Sequence, residues 1–155
     1  MSAFGSSEIS EYLVQTFEGL VPTSSWGEFS FFYNPESALP RGTYFCTLKE
    51  KDGDNDKASN LNRAAVFRVN FGLPSKAFEG VFGPRPLRPA KGNTIDGPWN
   101  FSQLDVLMPH PIYAWMGWVC VLSPSSDTFE IMKPLLATAY DHAVHSFNKR
   151  TRKLK

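Results

Sequence analysis

Cysteine is scarce in this 155-residue chain, with Cys46 and Cys120 the only two. Both lie in runs of strand-forming residues with no metal-ligand or redox spacing. Neither a disulfide framework nor a zinc cluster is therefore expected to organise the fold. Two buried free thiols in a reducing, cytoplasmic setting are the expectation. Long apolar runs are missing too. The richest apolar segment, Ile112 to Leu122, is interrupted by Gly117 and falls short of the roughly 20 residues a membrane helix needs. The start, Met1-Ser2-Ala3-Phe4-Gly5, lacks the basic and apolar stretches of a secretory signal, so no membrane partner is expected. Charge of one sign is also lacking, since 16 Lys and Arg face 15 Asp and Glu. A general polyanion binder would carry a basic excess, so nucleic acid is not an expected partner.

What is present is a dense supply of large side chains. Thirteen Phe residues lead an aromatic fraction of 14%, enough to build one core in a chain of single-domain length. Ser6 or Ser7 caps a first helix with the stripe Ile9, Tyr12, Leu13, Phe17 and Leu20, closed by Gly19 and Pro22. Strand signals follow. Phe29, Phe31 and Tyr33 alternate with Glu28, Ser30 and Phe32; Tyr44, Cys46 and Leu48 alternate with Phe45 and Thr47. A third run, from about Ala65 to Gly72, sets Ala65, Phe67, Val69 and Phe71 against Val66, Arg68 and Asn70.

Ser75 to Phe82 reads as a short helix stopped by Gly83-Pro84. Gly83 to Pro98 is rich in Pro and Gly, with no regular element expected and Trp99 and Phe101 pinning its end. A fourth strand is expected over Tyr113 to Leu122. The last helix follows, with a capping box at Asp127 and Glu130 and a stripe of Ile131, Leu135, Ala139, His142 or Ala143, and Phe147. Pro134 either kinks this helix or marks its first turn. Residues 149–155 hold five basic residues, and without them 11 basic residues face 15 acidic ones. They read as a basic tail on a single domain of residues 1–148, a solvated and frayed helix end rather than a nucleic-acid arm. The order of elements predicts a two-layer α+β domain, an antiparallel sheet with the N- and C-terminal helices on one face.

Few motifs carry chemistry. The acidic loop Asp52-Gly53-Asp54-Asn55-Asp56 begins like a calcium loop but has Lys57 and Arg63 where Gly and Glu are needed. Turn and capping roles for Asp56 and Ser59 fit better. His142 and His145 share a helix face without metal-ligand partners, and an ion pair of His145 with Asp141 fits them better. No metal and no cofactor is therefore expected. No nucleophile elbow, phosphate loop or dinucleotide fingerprint occurs. Gly27 to Tyr33 echoes the aromatic strand of RNA-recognition modules only faintly. His110 stands apart. Flanked by Pro109 and Pro111, its imidazole is held in place, as either a structural corner or a ligand-facing group requires.

Several of these residues together resemble a known family. Trp26-Gly27, Phe31-Phe32-Tyr33, Pro40-Arg41, Phe67-Arg68-Val69-Asn70 and Pro109-His110-Pro111-Ile112-Tyr113 with Trp118-Val119 resemble an uncharacterised domain of bacteria and fungi, over about Ile9 to Phe147. The PHPxY run followed by WV is its most specific part. The last strand and helix are also distantly similar to YjbR-like (MmcQ-like) proteins, which implies a frataxin-like, double-wing α+β fold and no activity.

Three functions stay open. A small-ligand binding or accessory protein would use Arg68, Asn70, Arg41, Trp118 (or Trp115) and Tyr113 around the His110 corner. A cofactor-free isomerase, cyclase or hydrolase would use His110 as general acid or base, with Arg41 or Arg68 stabilising negative charge. An interaction module or homodimer would use an open sheet face bearing Phe32, Phe45 and Val66. Tyr113 and Trp118 share a face only if Gly117 introduces a bulge.

Overall fold

The computed structural model describes residues 4–153. Six strands form one antiparallel sheet: β1 (Leu20–Ser25), β2 (Glu28–Tyr33), β3 (Thr43–Lys49), β4 (Arg68–Gly72), β5 (Leu107–Pro109) and β6 (Trp118–Leu122). Their spatial order is β1-β2-β3-β4-β6-β5. Helix α1 (Ser6–Thr16) precedes the sheet, α2 (Ser75–Phe82) follows β4, and α3 (Ser126–Arg152) ends the chain. The fold is α+β with both terminal helices on one side of the sheet, as the order of elements predicts.

Aromatic side chains join that layer. Tyr12 of α1 meets Phe129 of α3 edge-on at 5.2 Å between ring centroids, and Phe17 stacks on Tyr140 of α3 at 4.7 Å. Phe17 also meets Phe45 of β3 at 5.1 Å, which ties both helices to the sheet. Phe129, Met132, Leu136, Ala139, Ala143 and Phe147 form the buried stripe of α3. Each such large side chain contributes about 1.5–3 kcal/mol through burial.

The structure corrects several sequence expectations. Ile131 is 70% exposed and Leu135 only half-buried. Successive spacings of four from Ile131 to Ala139 drift off a 3.6-residue face, whereas the observed stripe mixes spacings of three and four and meets the expected one at Ala139. Asp127 and Glu130 do not cap α3; Ser125 does, accepting from Thr128 N at 3.2 Å. Pro134 lies inside the continuous helix. Residues 149–152 form its last turn, a basic helix end, where Arg150 donates to the Gly42 carbonyl at 2.9 Å. Residues 154 and 155 lie outside the described range. Leu20 opens the unforeseen strand β1 instead of continuing α1, and β5 was equally invisible. Both are edge strands, one nearly all exposed and the other three residues long.

One irregularity decides which residues face which side. Phe31 pairs with Cys46 and Phe32 with Tyr44, leaving Phe45 as an extra residue on β3. This bulge puts Phe45, Cys46 and Leu48 together in the core and turns half-exposed Tyr44 to the other side. Phe45 therefore bears no part of an open face, and Phe32 is buried as well.

Candidate functional site

The face of the sheet away from α1 and α3 is not bare. Val69 and Phe71 of β4 join the core beneath the helices, so Arg68 and Asn70, alternating with them, point the other way. There the connection from β3 to β4, residues 50–67, folds over them. Arg68 is 1% exposed, a burial that an arginine tolerates only when its donors are met. Its Nε donates to Asn70 Oδ1 at 2.7 Å. Nη1 donates to Asp56 Oδ1 at 3.0 Å and Ser59 Oγ at 2.9 Å. Nη2 donates to Asp56 Oδ2 at 2.5 Å, completing a two-pronged pair. Asn70 in turn donates to Thr47 Oγ1 at 3.0 Å. Burial alone would raise the Asp56 carboxyl, but the hydrogen bonds and charge of Arg68 outweigh it and hold the group below its ordinary 3.8. Burial would likewise lower the guanidinium, and Asp56 reverses that. Lys49 Nζ lies 4.0 Å from the same carboxylate.

His110 is 3% exposed, at the end of β5. Its Nδ1 accepts from the backbone N–H groups of both Ile112 and Tyr113, each at 3.1 Å. That pattern assigns the neutral ring its proton at Nε2. Nε2 stands 3.4 Å from Arg68 Nη2. The role of Nε2 in that contact is set by the ring tautomer. Nη2 and Nε2 are each other's polar neighbours at this distance, and no buried side-chain nitrogen or oxygen among the described residues is without a partner. Burial first, then the Arg68 charge, holds the imidazole well below its ordinary 6.5, so it is neutral near pH 7.

These groups border a cleft of about 370 Å³. Tyr44, Tyr113, Met116 and Trp118 supply its apolar walls, with Glu28, Thr47 and Lys49 on the β2–β3 side. Tyr113 and Trp118 both reach it, but not through a strand bulge. The strand starts only at Trp118, and residues Ala114–Met116 form a 3-10 turn closed by Gly117 at φ +93. A Cβ on Gly117 would strike the Leu73 carbonyl oxygen, which only glycine avoids. Trp118 lies over Gly72, whose missing side chain leaves the indole room.

Residues 3–152 match a family model described as a family of unknown function, DUF6194. The chain belongs to that family. No curated protein and no solved structure matches it.

Five of the six residues singled out from the sequence, His110, Arg68, Asn70, Tyr113 and Trp118, line the one cleft. Arg41 does not. It is exposed, its guanidinium 5.9 Å from the Phe32 ring centroid. Trp115 also points elsewhere, under the Arg88 guanidinium at 4.7 Å. No ion pair joins Asp141 and His145 among the described residues. Asp56 and Ser59, expected to serve turns, instead hold Arg68. Lys49, Thr47, Tyr44 and Glu28 were missed. A signal for Asp56 was present: an arginine inside an apolar strand demands a carboxylate, and the acidic loop lies just upstream. No group of three or more His, Cys, Asp or Glu able to hold a metal ion occurs among the described residues. None of their helices is long and apolar enough to cross a membrane.

Proposed function

We propose that this chain is a small-ligand-binding protein and that the cleft beside His110 is its binding site. The supporting observation is the cleft itself, where the fixed polar groups of His110, Arg68 and Asn70 meet the aromatic side chains of Tyr44, Tyr113 and Trp118. The cleft volume of about 370 Å³ sits at the lower end of the small-molecule range, and aromatic walls around a few fixed polar groups are the usual lining. The rigidity of the site favours binding. The Arg68 network and the doubly bonded His110 Nδ1 fix these polar groups before a ligand arrives, which reduces the ordering cost.

An acid–base enzyme is the weaker reading. A general base needs a free lone pair, and the His110 lone pair is taken by two backbone N–H groups. The homodimer reading loses Phe45 to the core and Phe32 to burial. The distant YjbR-like likeness adds no activity. The buried free thiols accord with a reducing, cytoplasmic location.

A metabolite panel read by thermal shift tests the proposal. A ligand at 100 times its Kd adds about 2.7 kcal/mol to stability. Binding is expected to shift the Trp118 indole and His110 imidazole resonances together. Hits whose shifts map elsewhere would refute the assignment of the cleft.

A further inference from the structure

Residues 83–91 line no part of the cleft. Their sequence, Gly83-Pro84-Arg85-Pro86-Leu87-Arg88-Pro89-Ala90-Lys91, fixes most of their backbone. Each proline holds φ at about −65°, and each residue before a proline is pushed to extended conformation. From Pro84 to Pro89 only Leu87 escapes both restrictions. Such a chain forms a polyproline II helix, with three residues per turn and no internal hydrogen bonds. Both marks are present. Among the described residues, no backbone group of 84–89 is hydrogen-bonded to another backbone group. Exposure also follows the three-residue turn: Gly83, Pro86 and Pro89 are half-buried, whereas Pro84, Arg85, Leu87, Arg88 and Ala90 are exposed.

One edge of this helix therefore lies on the body of the protein, and two edges face outward. The first outward edge is apolar, with Pro84 and Leu87 followed by Ala90, and Leu87 is 90% exposed. The second is cationic. Arg85 and Arg88 stand about 9 Å apart along it, and Lys91 comes next, in the turn closed by Asn93 N–H on the Ala90 carbonyl. Arg88 is anchored over the Trp115 ring at 4.7 Å. No acidic residue interrupts the segment.

We propose that residues 84–91 are a docking segment for a partner protein that receives polyproline II chains in an aromatic-lined groove with acidic side chains beside it. Pro84 and Leu87 enter between the rings, and Arg85 and Lys91 meet the acids. The segment is ordered before docking, so little conformational entropy is lost. A membrane or a nucleic acid fits less well. Three cations are fewer than a lipid-binding cluster carries, and the apolar edge finds no partner on a phosphate backbone.

Purified SH3 and WW domains, which accept Pro-rich segments in aromatic grooves, are the probes, titrated one at a time into 15N-labelled full-length protein. At least one domain is expected to move the backbone amides of Arg85, Leu87, Arg88, Ala90 and Lys91 and to leave the Trp118 indole in place. Leu87→Asp is expected to weaken that binding at least about tenfold, and Lys91→Glu about threefold. Both side chains are exposed, so neither change should move the urea midpoint. If no domain moves these amides, the proposal fails. It fails equally if Leu87→Asp leaves the binding within about twofold of wild type. Heparin moving the same amides as strongly in Leu87→Asp as in wild type, with no domain binding, would make the segment a cationic patch for polyanions instead.

Discussion

Alanine at position 56 would leave Arg68 charged, 1% exposed and without its carboxylate. Two charge-assisted hydrogen bonds disappear, to Asp56 Oδ1 and Oδ2, while those to Asn70 and Ser59 remain. Each lost bond is worth about 1.5–3 kcal/mol, and stranding one member of a buried pair costs about 3–5 kcal/mol. The Asp56 side chain is 14% exposed, so water entering through its vacated position recovers part of that. A loss of about 3 kcal/mol is the expected result, a large share of the 5–15 kcal/mol typical of a domain. Arg68→Met removes the charge along with the donors and keeps an apolar stem in the strand. The partly hydrated Asp56 then stays near Lys49, and the cost is expected to be smaller, about 1–2 kcal/mol. The double variant should lie closer to Arg68→Met than the sum of the singles, with a coupling of at least 1 kcal/mol. Urea unfolding followed by tryptophan fluorescence gives all three values. A loss under about 1 kcal/mol for Asp56→Ala, or additive single effects, would refute the buried-pair account.

Three further outcomes follow from the packing and the titration directions. Leu136→Ala should cost about 2–5 kcal/mol and Ile131→Ala under about 0.5 kcal/mol by the same assay, since the first is fully buried and the second 70% exposed; the reverse order would move the α3 stripe. Both thiols should resist titration in the native protein and react after unfolding, because burial pushes Cys120 up to about 12 and Cys46 higher still. Stability should fall on acidification below about pH 6.5, by up to about 1.4 kcal/mol per pH unit from His110 alone, because the unfolded chain takes a proton there that the folded imidazole refuses. A flat urea-midpoint profile between about pH 5 and 6.5 would show that His110 charges in the fold.

The layer of helices was legible because its signals are local. Alternation at Phe31 and at Val69–Phe71, the first-helix stripe of Ile9, Leu13 and Phe17, and the Ala139, Ala143 and Phe147 part of the last-helix stripe survived folding. Edge strands left no such signal: Val21 to Ser25 is exposed along its length, so no apolar alternation marks it. The bulge at Phe45 was illegible for another reason, since a shift of register depends on the neighbouring strand. His110 and Arg68 stood out because one is locked between prolines and the other sits in an apolar strand. Asp56, Lys49 and Tyr44 did not, because loop closure over the sheet brings them together, and no spacing in the chain encodes it.

The account rests on His110 held neutral and fixed by its backbone hydrogen bonds beside Arg68, and the nitrogen spectrum of its imidazole tests that directly. In 15N-histidine-labelled protein, long-range correlation spectra at about pH 6 should show Nδ1 without a proton and Nε2 carrying one, as expected when burial holds the ring well below 6.5. A proton on Nδ1, or a doubly protonated ring at that pH, would contradict the fixed imidazole and the binding site built on it.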